Sequence, residues 1–171
     1  MSIFQRQPFD MESYVQRVQT GPCFICEIVA RNPDPQYRNH IIYEDDMAIV
    51  FLNKYPVLYG YTLVAPRAHC EQVTGDFTID EYLALQRRVY RVAEALRQEV
   101  PTERMYILSL GSQQGNRHVH WHIAPLPPGV PYREQQLEAL KIEKGVLKIS
   151  DEEMASLAVR IRRRMAELNG A

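Results

Sequence analysis

The sequence predicts an α+β domain: an antiparallel meander sheet with one long helix packed on it, followed by a C-terminal helix. Three patterns carry that expectation. Short β-branched and aromatic runs separated by turn residues lie between Ile41 and Ala65 and again between Met105 and Ala124. Between these two sets, Tyr82, Leu85, Val89, Val92 and Leu96 recur at three- and four-residue steps. A second helical stripe, Met154, Leu157, Ile161, Met165 and Leu168, runs toward the end of the chain.

Taken in order, Tyr14, Val15 and Val18 suggest a short helix that Gly21-Pro22 ends. A polar, proline-containing loop fills Asn32 to Asn39. Ile41–Tyr43 and Ala48–Leu52 read as strands joined by the acidic turn Glu44-Asp45-Asp46, and Tyr61–Ala65 as a third strand stopped at Pro66. Thr78 with Glu81 forms a capping box for the long helix, which Pro101 terminates. Met105–Leu110 and Arg117–Ala124 supply two further strands, linked by the polar Gly111–Asn116 loop. Pro125, Pro127, Pro128 and Pro131 close the unit, and Ser150 with Glu153 makes a second capping box. The expected organisation is an N-terminal helical extension over 1–21, a central domain over 22–128 and a C-terminal helical extension over 129–171.

A chain of 171 residues can build one domain with a sizeable core and appendages. With a net charge of −1 it has no overall field to gather nucleic acid or an anionic membrane, so an anionic ligand needs a local site. Arg160, Arg162, Arg163 and Arg164 read as a solvated helix face, a weak signal for nucleic acid. The charged, Pro8-containing N-terminus lacks the apolar stretch of a signal peptide and no run reaches membrane-spanning length, so a cytoplasmic location is expected. Phosphate-binding Gly-rich loops and the G-x-S-x-G elbow are missing from the sequence.

The most informative segment is HVHWH. Three of the five histidines, His118, His120 and His122, alternate with Val119, Trp121 and Ile123. On a strand this places three imidazoles along one face, about 6 to 7 Å apart, with the apolar set facing the core. Neutral imidazole is nucleophilic and can also move a proton near neutral pH, which suits phosphorus chemistry. His120, flanked on both sides, is the natural attacker. A His-rich edge strand or an accidental metal tract would be the plainer explanations.

Cys23 and Cys26 form C-x-x-C, and His69 and His118 could complete a tetrahedral zinc site with them. Redox chemistry, or two buried small residues, would also fit the cysteine pair alone, but the strands that follow do not read as a thioredoxin-like unit. Cys70 is expected to be a buried small residue.

Together these features resemble the histidine triad superfamily, whose His-φ-His-φ-His-φ-φ signature HVHWHIA matches in full. The resemblance extends from CFIC at 23–26 through IIYEDDMAIVFLN and PVLYGYTLVAPRAH. It implies a HIT-like fold, a homodimer with a continuous sheet, and a nucleotide substrate attacked at its α-phosphate. On that pattern His120 forms a nucleotidyl-histidine intermediate and His122 contacts the phosphate and leaving group. The resemblance to zinc-bearing members also implies that Cys23, Cys26, His69 and His118 hold zinc. Asn53 matches a ribose-binding position of the fragile-histidine-triad branch and Gln114 a phosphate-contacting glutamine, although both also suit turns.

The chain departs from the pattern around the leaving group. Tyr61 stands where members usually have histidine, Gly115 where a hydroxyl residue is common, and Leu126 where arginine often follows the proline; the Gly111–Asn116 loop is also short. A phenol can donate a hydrogen bond but does not become cationic near neutral pH, so a shifted substrate preference is expected, with weaker stabilisation of a highly charged polyphosphate. His122 argues against the sugar-phosphate transferases, which carry glutamine there. The H-x-H-W-H variant with Trp121 is similar to that of some dinucleoside polyphosphate phosphorylases and Asn53 to a ribose-binding position, so the resemblance implies a dinucleoside polyphosphate hydrolase or phosphorylase. The alternatives are a nucleoside phosphoramidate hydrolase and, from another class, a nucleotide-binding regulatory module with negligible turnover.

Overall fold

The computed structural model describes residues 4–111 and 116–169. Its elements in chain order are β1 (Arg6–Gln7), α1 (Met11–Thr20), α2 (Phe24–Val29), β2 (Ile41–Glu44), β3 (Ala48–Leu52), β4 (Thr62–Pro66), α3 (Ile79–Glu99), β5 (Arg104–Leu108), β6 (Trp121–Leu126), β7 (Val146–Leu147) and α4 (Asp151–Asn169). The fold is the expected α+β arrangement. Five strands form one sheet in the order β2-β3-β4-β6-β5, and every neighbouring pair is antiparallel. β2 to β4 run as a meander. α3 then carries the chain to the far edge, so β5 lies outermost and β6 returns beside β4.

Period-two alternation sorts the sheet residues onto two faces. Val50, Leu52, Val64, Trp121 and Ile123 pack with Leu85, Val89, Val92 and Leu96 of α3 and with Leu157 and Ile161 of α4. Ile49, Phe51, Leu63 and Ala65 face the other way, onto Ile25 and Ile28 of α2. Fully burying one such aliphatic side chain is worth about 1.5–3 kcal/mol, so the α3 and α4 face is the main source of stability. The opposite face is only partly covered and there the site forms.

The Thr78 capping box is present: Thr78 Oγ1 accepts from the Glu81 amide at 3.3 Å, and the Glu81 carboxylate accepts from the Thr78 amide at 2.7 Å. The second box is half formed. Ser150 Oγ accepts from the Glu153 amide at 3.2 Å, but the Glu153 carboxylate turns instead to Tyr59 and Arg160. The arginine run on α4 is also less solvated than its composition suggests. Arg162 donates to the carbonyls of Ile41 and Ile42 on the outer strand β2, while Arg160 and Arg164 flank Glu99, whose side chain is 8% exposed.

Four elements differ from expectation. α2 follows directly on Cys23, and its six residues are too few to show a helical period. The β1–β7 ribbon joins residues near the two ends of the chain through two paired positions. β6 begins at Trp121 rather than Arg117, because the β4 ladder stops at Val64 opposite Trp121. Beyond that point Pro66 has no N–H to offer, and its carbonyl is taken by the His118 ring at 2.9 Å. At the other end β6 runs through Pro125 to Leu126, because Pro125 pairs with Met105 of β5 where β4 no longer runs alongside.

One glycine shapes the approach to the site. Gly60 precedes β4 at φ +83°, and a Cβ there would lie 3.0 Å from Val100 and 3.3 Å from Leu96 and Pro125. A side chain is excluded on both counts. The tight turn delivers Tyr61 to the sheet face opposite α3.

Candidate active site and metal centre

The three triad histidines lie on the sheet face away from α3, since Val119, Trp121 and Ile123 all enter the α3 core. They do not form an even row. The His118 ring is fully buried and sits 4.9 Å from the His69 ring, whereas His120 and His122 stay together at 4.6 Å. The expected rack of three thus divides into a buried ring beside His69 and a pair, and of the three only His122 is held in the β-ladder.

His118 joins Cys23, Cys26 and His69 in one cluster whose ligand atoms all lie within 4.8 Å of one another. Cys23 Sγ is 3.4 Å and Cys26 Sγ 3.6 Å from His118 Nδ1, and Cys26 Sγ is 3.2 Å from His69 Nδ1. Tetrahedral zinc with bonds of about 2.3 Å to sulfur and about 2.05 Å to nitrogen sets these separations near about 3.6 Å. The outer contacts fit as well. His118 donates its Nε2 proton to the Pro66 carbonyl and His69 donates its own to the Glu71 carboxylate at 3.2 Å, so both Nδ1 lone pairs point at the thiols. Burial, with Cys23 alongside, pushes the Cys26 thiol up to about 11, a cost that a bound dication would offset. The donor set and its spacing are therefore compatible with zinc. Cys70 lies outside the cluster, and its carbonyl accepts from the Val119 amide at 2.7 Å.

His120 and His122 open onto a cleft of about 760 Å³. Its walls include Phe51 and Leu63 of the sheet, Asn53 and Tyr55 of the loop after β3, and Tyr14 and Val18 of α1. No residue of α1 is buried, and the helix is held at the cleft by Phe9, which stacks near Tyr55 at 5.0 Å and Tyr14 at 5.4 Å. Its apolar stripe was visible in the sequence, but nothing there marked it as the wall of a site. Arg17 and Lys54 stand on the same cleft.

The tautomer of His120 follows from its contacts. Its Nδ1 lies 2.7 Å from the His118 carbonyl, which can only accept, so the proton is on Nδ1 and Nε2 keeps its lone pair. Burial holds the ring below the usual imidazole range, against the opposing effect of that hydrogen bond. His122 is pushed down to about 3 by burial and by His120 beside it. Both rings are neutral at pH 7. Tyr61, buried and raised to about 12 by burial, places its hydroxyl 3.0 Å from His122 Nδ1.

Asn53 lines the cleft together with the two histidines while its Oδ1 accepts from the Tyr55 amide at 2.9 Å. It therefore serves the turn and the cleft at once. Gln114 and Gly115 lie outside the described residues. Asn116, which the sequence did not single out, also borders the cleft, and its buried Nδ2 has no partner among the described residues.

The HIT domain family profile matches residues 34–128. An uncharacterized HIT-like protein of Saccharolobus solfataricus is 28% identical over 137 residues, covering 73% of this chain and 95% of that protein. Protein hit of Bacillus subtilis is 30% identical over 107 residues, covering 60% of this chain and 70% of that protein. Among solved structures, a hypothetical histidine triad nucleotide-binding protein from Sulfolobus tokodaii superposes with a TM-score of 0.68 at 26% identity, over 86% of this chain and 94% of that one. A Zn-bound histidine triad family protein from Mycobacterium smegmatis shares the fold, with a TM-score of 0.64 at 24% identity over 86% of this chain and 96% of that one.

Proposed function

This chain belongs to the HIT domain family, a family of nucleotide-binding hydrolases and transferases, and on that premise we propose that it cleaves dinucleoside polyphosphates through a nucleotidyl-histidine intermediate. The observation that carries the reading is the His120 ring: Nδ1 is committed to the His118 carbonyl at 2.7 Å, leaving the Nε2 lone pair for the cleft. That lone pair attacks the α-phosphorus. A P–N bond forms, the bond to the bridging oxygen breaks, and the leaving nucleotide takes the electron pair. In the second step an oxygen of water or inorganic phosphate attacks the same phosphorus. The P–N bond breaks with its electron pair returning to Nε2, the acceptor's proton passes to solvent, and neutral His120 is restored.

His122 contacts the phosphate beside the leaving oxygen, and Asn53 and Gln114 bind the ribose and phosphates. Cys23, Cys26, His69 and His118 would hold zinc in a closed shell, tying α2 to the ends of the two central strands without taking part in the reaction. Thiolate ligation suits a reducing cytoplasm. We read the protein as a homodimer joined through β5 and α3, in support of which β5 is an edge strand with Ile107 46% exposed, and Leu83 and Tyr90 of α3 are 53% and 67% exposed.

A substrate panel tests the reading. Dinucleoside polyphosphates, nucleoside phosphoramidates and nucleotide sugars are each assayed with and without inorganic phosphate, and the protein is quenched in alkali, which preserves P–N bonds, for mass spectrometry. Turnover of the dinucleotides with one nucleotidyl group on His120 is expected. Preferred cleavage of phosphoramidates would replace the substrate assignment, and nucleotide binding without adduct or turnover would make the protein a regulatory module.

A further inference from the structure

Tyr61 follows the Gly60 turn and directly precedes β4, and among the described residues its hydroxyl touches one group of the site, Nδ1 of His122. Two proton arrangements are compatible with a 3.0 Å contact. If the ring carried its proton on Nδ1 and donated it to the phenol, the buried hydroxyl proton would be left without an acceptor among the described residues. If the phenol donates, its proton is satisfied, an oxygen lone pair goes unused, and the ring's far N–H is left for a ligand in the cleft that His122 lines. An unmade buried donor costs about 1–3 kcal/mol, whereas an unused oxygen lone pair costs less, so the second arrangement wins.

The geometry points to Tyr61 as a positioning residue that fixes His122 in the Nε2–H tautomer, opposite to that of His120, so that adjacent rings present one lone pair and one N–H to the same phosphate. The two orienting contacts come from different parts of the chain: the His118 carbonyl takes a proton from His120, and the Tyr61 hydroxyl gives one to His122. With ring centroids 4.6 Å apart, the pair meets a phosphate with an attacking nitrogen on one ring and a hydrogen-bond donor on the other. The donor serves the oxygen that departs with the electron pair. It lends a hydrogen bond and keeps its proton, since no carboxylate stands behind Tyr61 among the described residues to replace it. This role rests on the phosphoryl-transfer reading, but the tautomer itself does not.

The test uses ¹⁵N-histidine-labelled protein without substrate, in which two-bond couplings show which nitrogen of His122 bears the proton. A proton on Nε2 in the parent, and a mixture of tautomers in Tyr61→Phe, is expected. A proton on Nδ1 in the parent overturns the proposal outright, even if the variant proves unstable. In kinetics, Tyr61→Phe should lower kcat by about tenfold with KM changed less than twofold, the effect of one lost orienting hydrogen bond. The loss should grow along a series of nucleotide substrates with poorer leaving groups. An equal loss across the series would assign Tyr61 to packing alone. Absence of turnover with the Nε2–H tautomer intact would remove the proposed reaction and leave the tautomer assignment standing.

Discussion

Acid should destabilise the folded protein in part through His122. In the folded state burial and the neighbouring His120 push this ring down to about 3, whereas in the unfolded chain it titrates near about 6.5. The unfolded state therefore gains a proton that the folded state refuses. Stability is fully present above pH 6.5 and is lost as pH falls toward 3. At pH 5 the unfolded chain is favoured by RT ln(1 + 10^1.5), about 2 kcal/mol from this residue. That value is set by the unfolded ring alone as long as the folded one stays neutral at pH 5. Against a typical total of about 5–15 kcal/mol it is large enough to measure. Urea unfolding of the parent and of His122→Asn at pH 8 and pH 5, with zinc saturating throughout, isolates it, because proton effects at the metal cluster cancel in the double difference. The parent should lose about 2 kcal/mol more than the variant between the two pH values. Equal losses would refute the reasoning, and would mean that His122 is hydrated in the folded protein.

His120→Gly should reduce turnover by at least about a thousandfold while nucleotide affinity, measured calorimetrically, stays near that of the parent, since it removes the attacking nitrogen and little of the cleft; activity within tenfold of the parent would end the covalent mechanism. Untagged protein should carry one zinc per chain by elemental analysis, Cys26→Ser should lose it together with thermal stability, and Cys70→Ser should keep it, because Cys70 stands outside the four-residue cluster. A metal-free protein with a reversible Cys23–Cys26 disulfide would instead favour redox chemistry. Light scattering should give a dimer at micromolar concentration, and Ile107→Asp on the exposed edge strand should shift it to monomer; a monomeric parent would contradict the assembly.

Much of this architecture was legible because its signals are local and periodic. Thr78 and Glu81 announce α3 through a capping box that needs no tertiary partner, and the unbroken apolar run Ala48–Leu52 announces a strand buried on both faces. HVHWH was legible for the same reason, and the metal quartet could be assembled from ligand chemistry before its members were seen together. What escaped the sequence depends on contacts between distant segments. The start of β6 is set by Pro66, whose carbonyl binds His118, fifty-two positions along the chain, instead of a strand partner. Arg163 is solvated as its composition suggests, but Arg160, Arg162 and Arg164 also reach acceptors that belong to other elements, Glu99 and the Ile41 and Ile42 carbonyls. α1 showed an amphipathic stripe, but no period tells whether such a stripe meets a core or a ligand.

His118 has two commitments that a single backbone must satisfy together. Its ring faces the thiols of Cys23 and Cys26, and its carbonyl takes the proton of His120. A cation drawn into the cluster would clamp the ring, and through it the peptide group that orients His120, the nucleophile of the proposed reaction. Such an ion would take no part in bond making and yet would govern the rate. Loss of metal should then show itself as a nucleophile out of true, with kcat falling before the fold gives way, and mild chelation would act as a dimmer on the reaction rather than as a switch for folding.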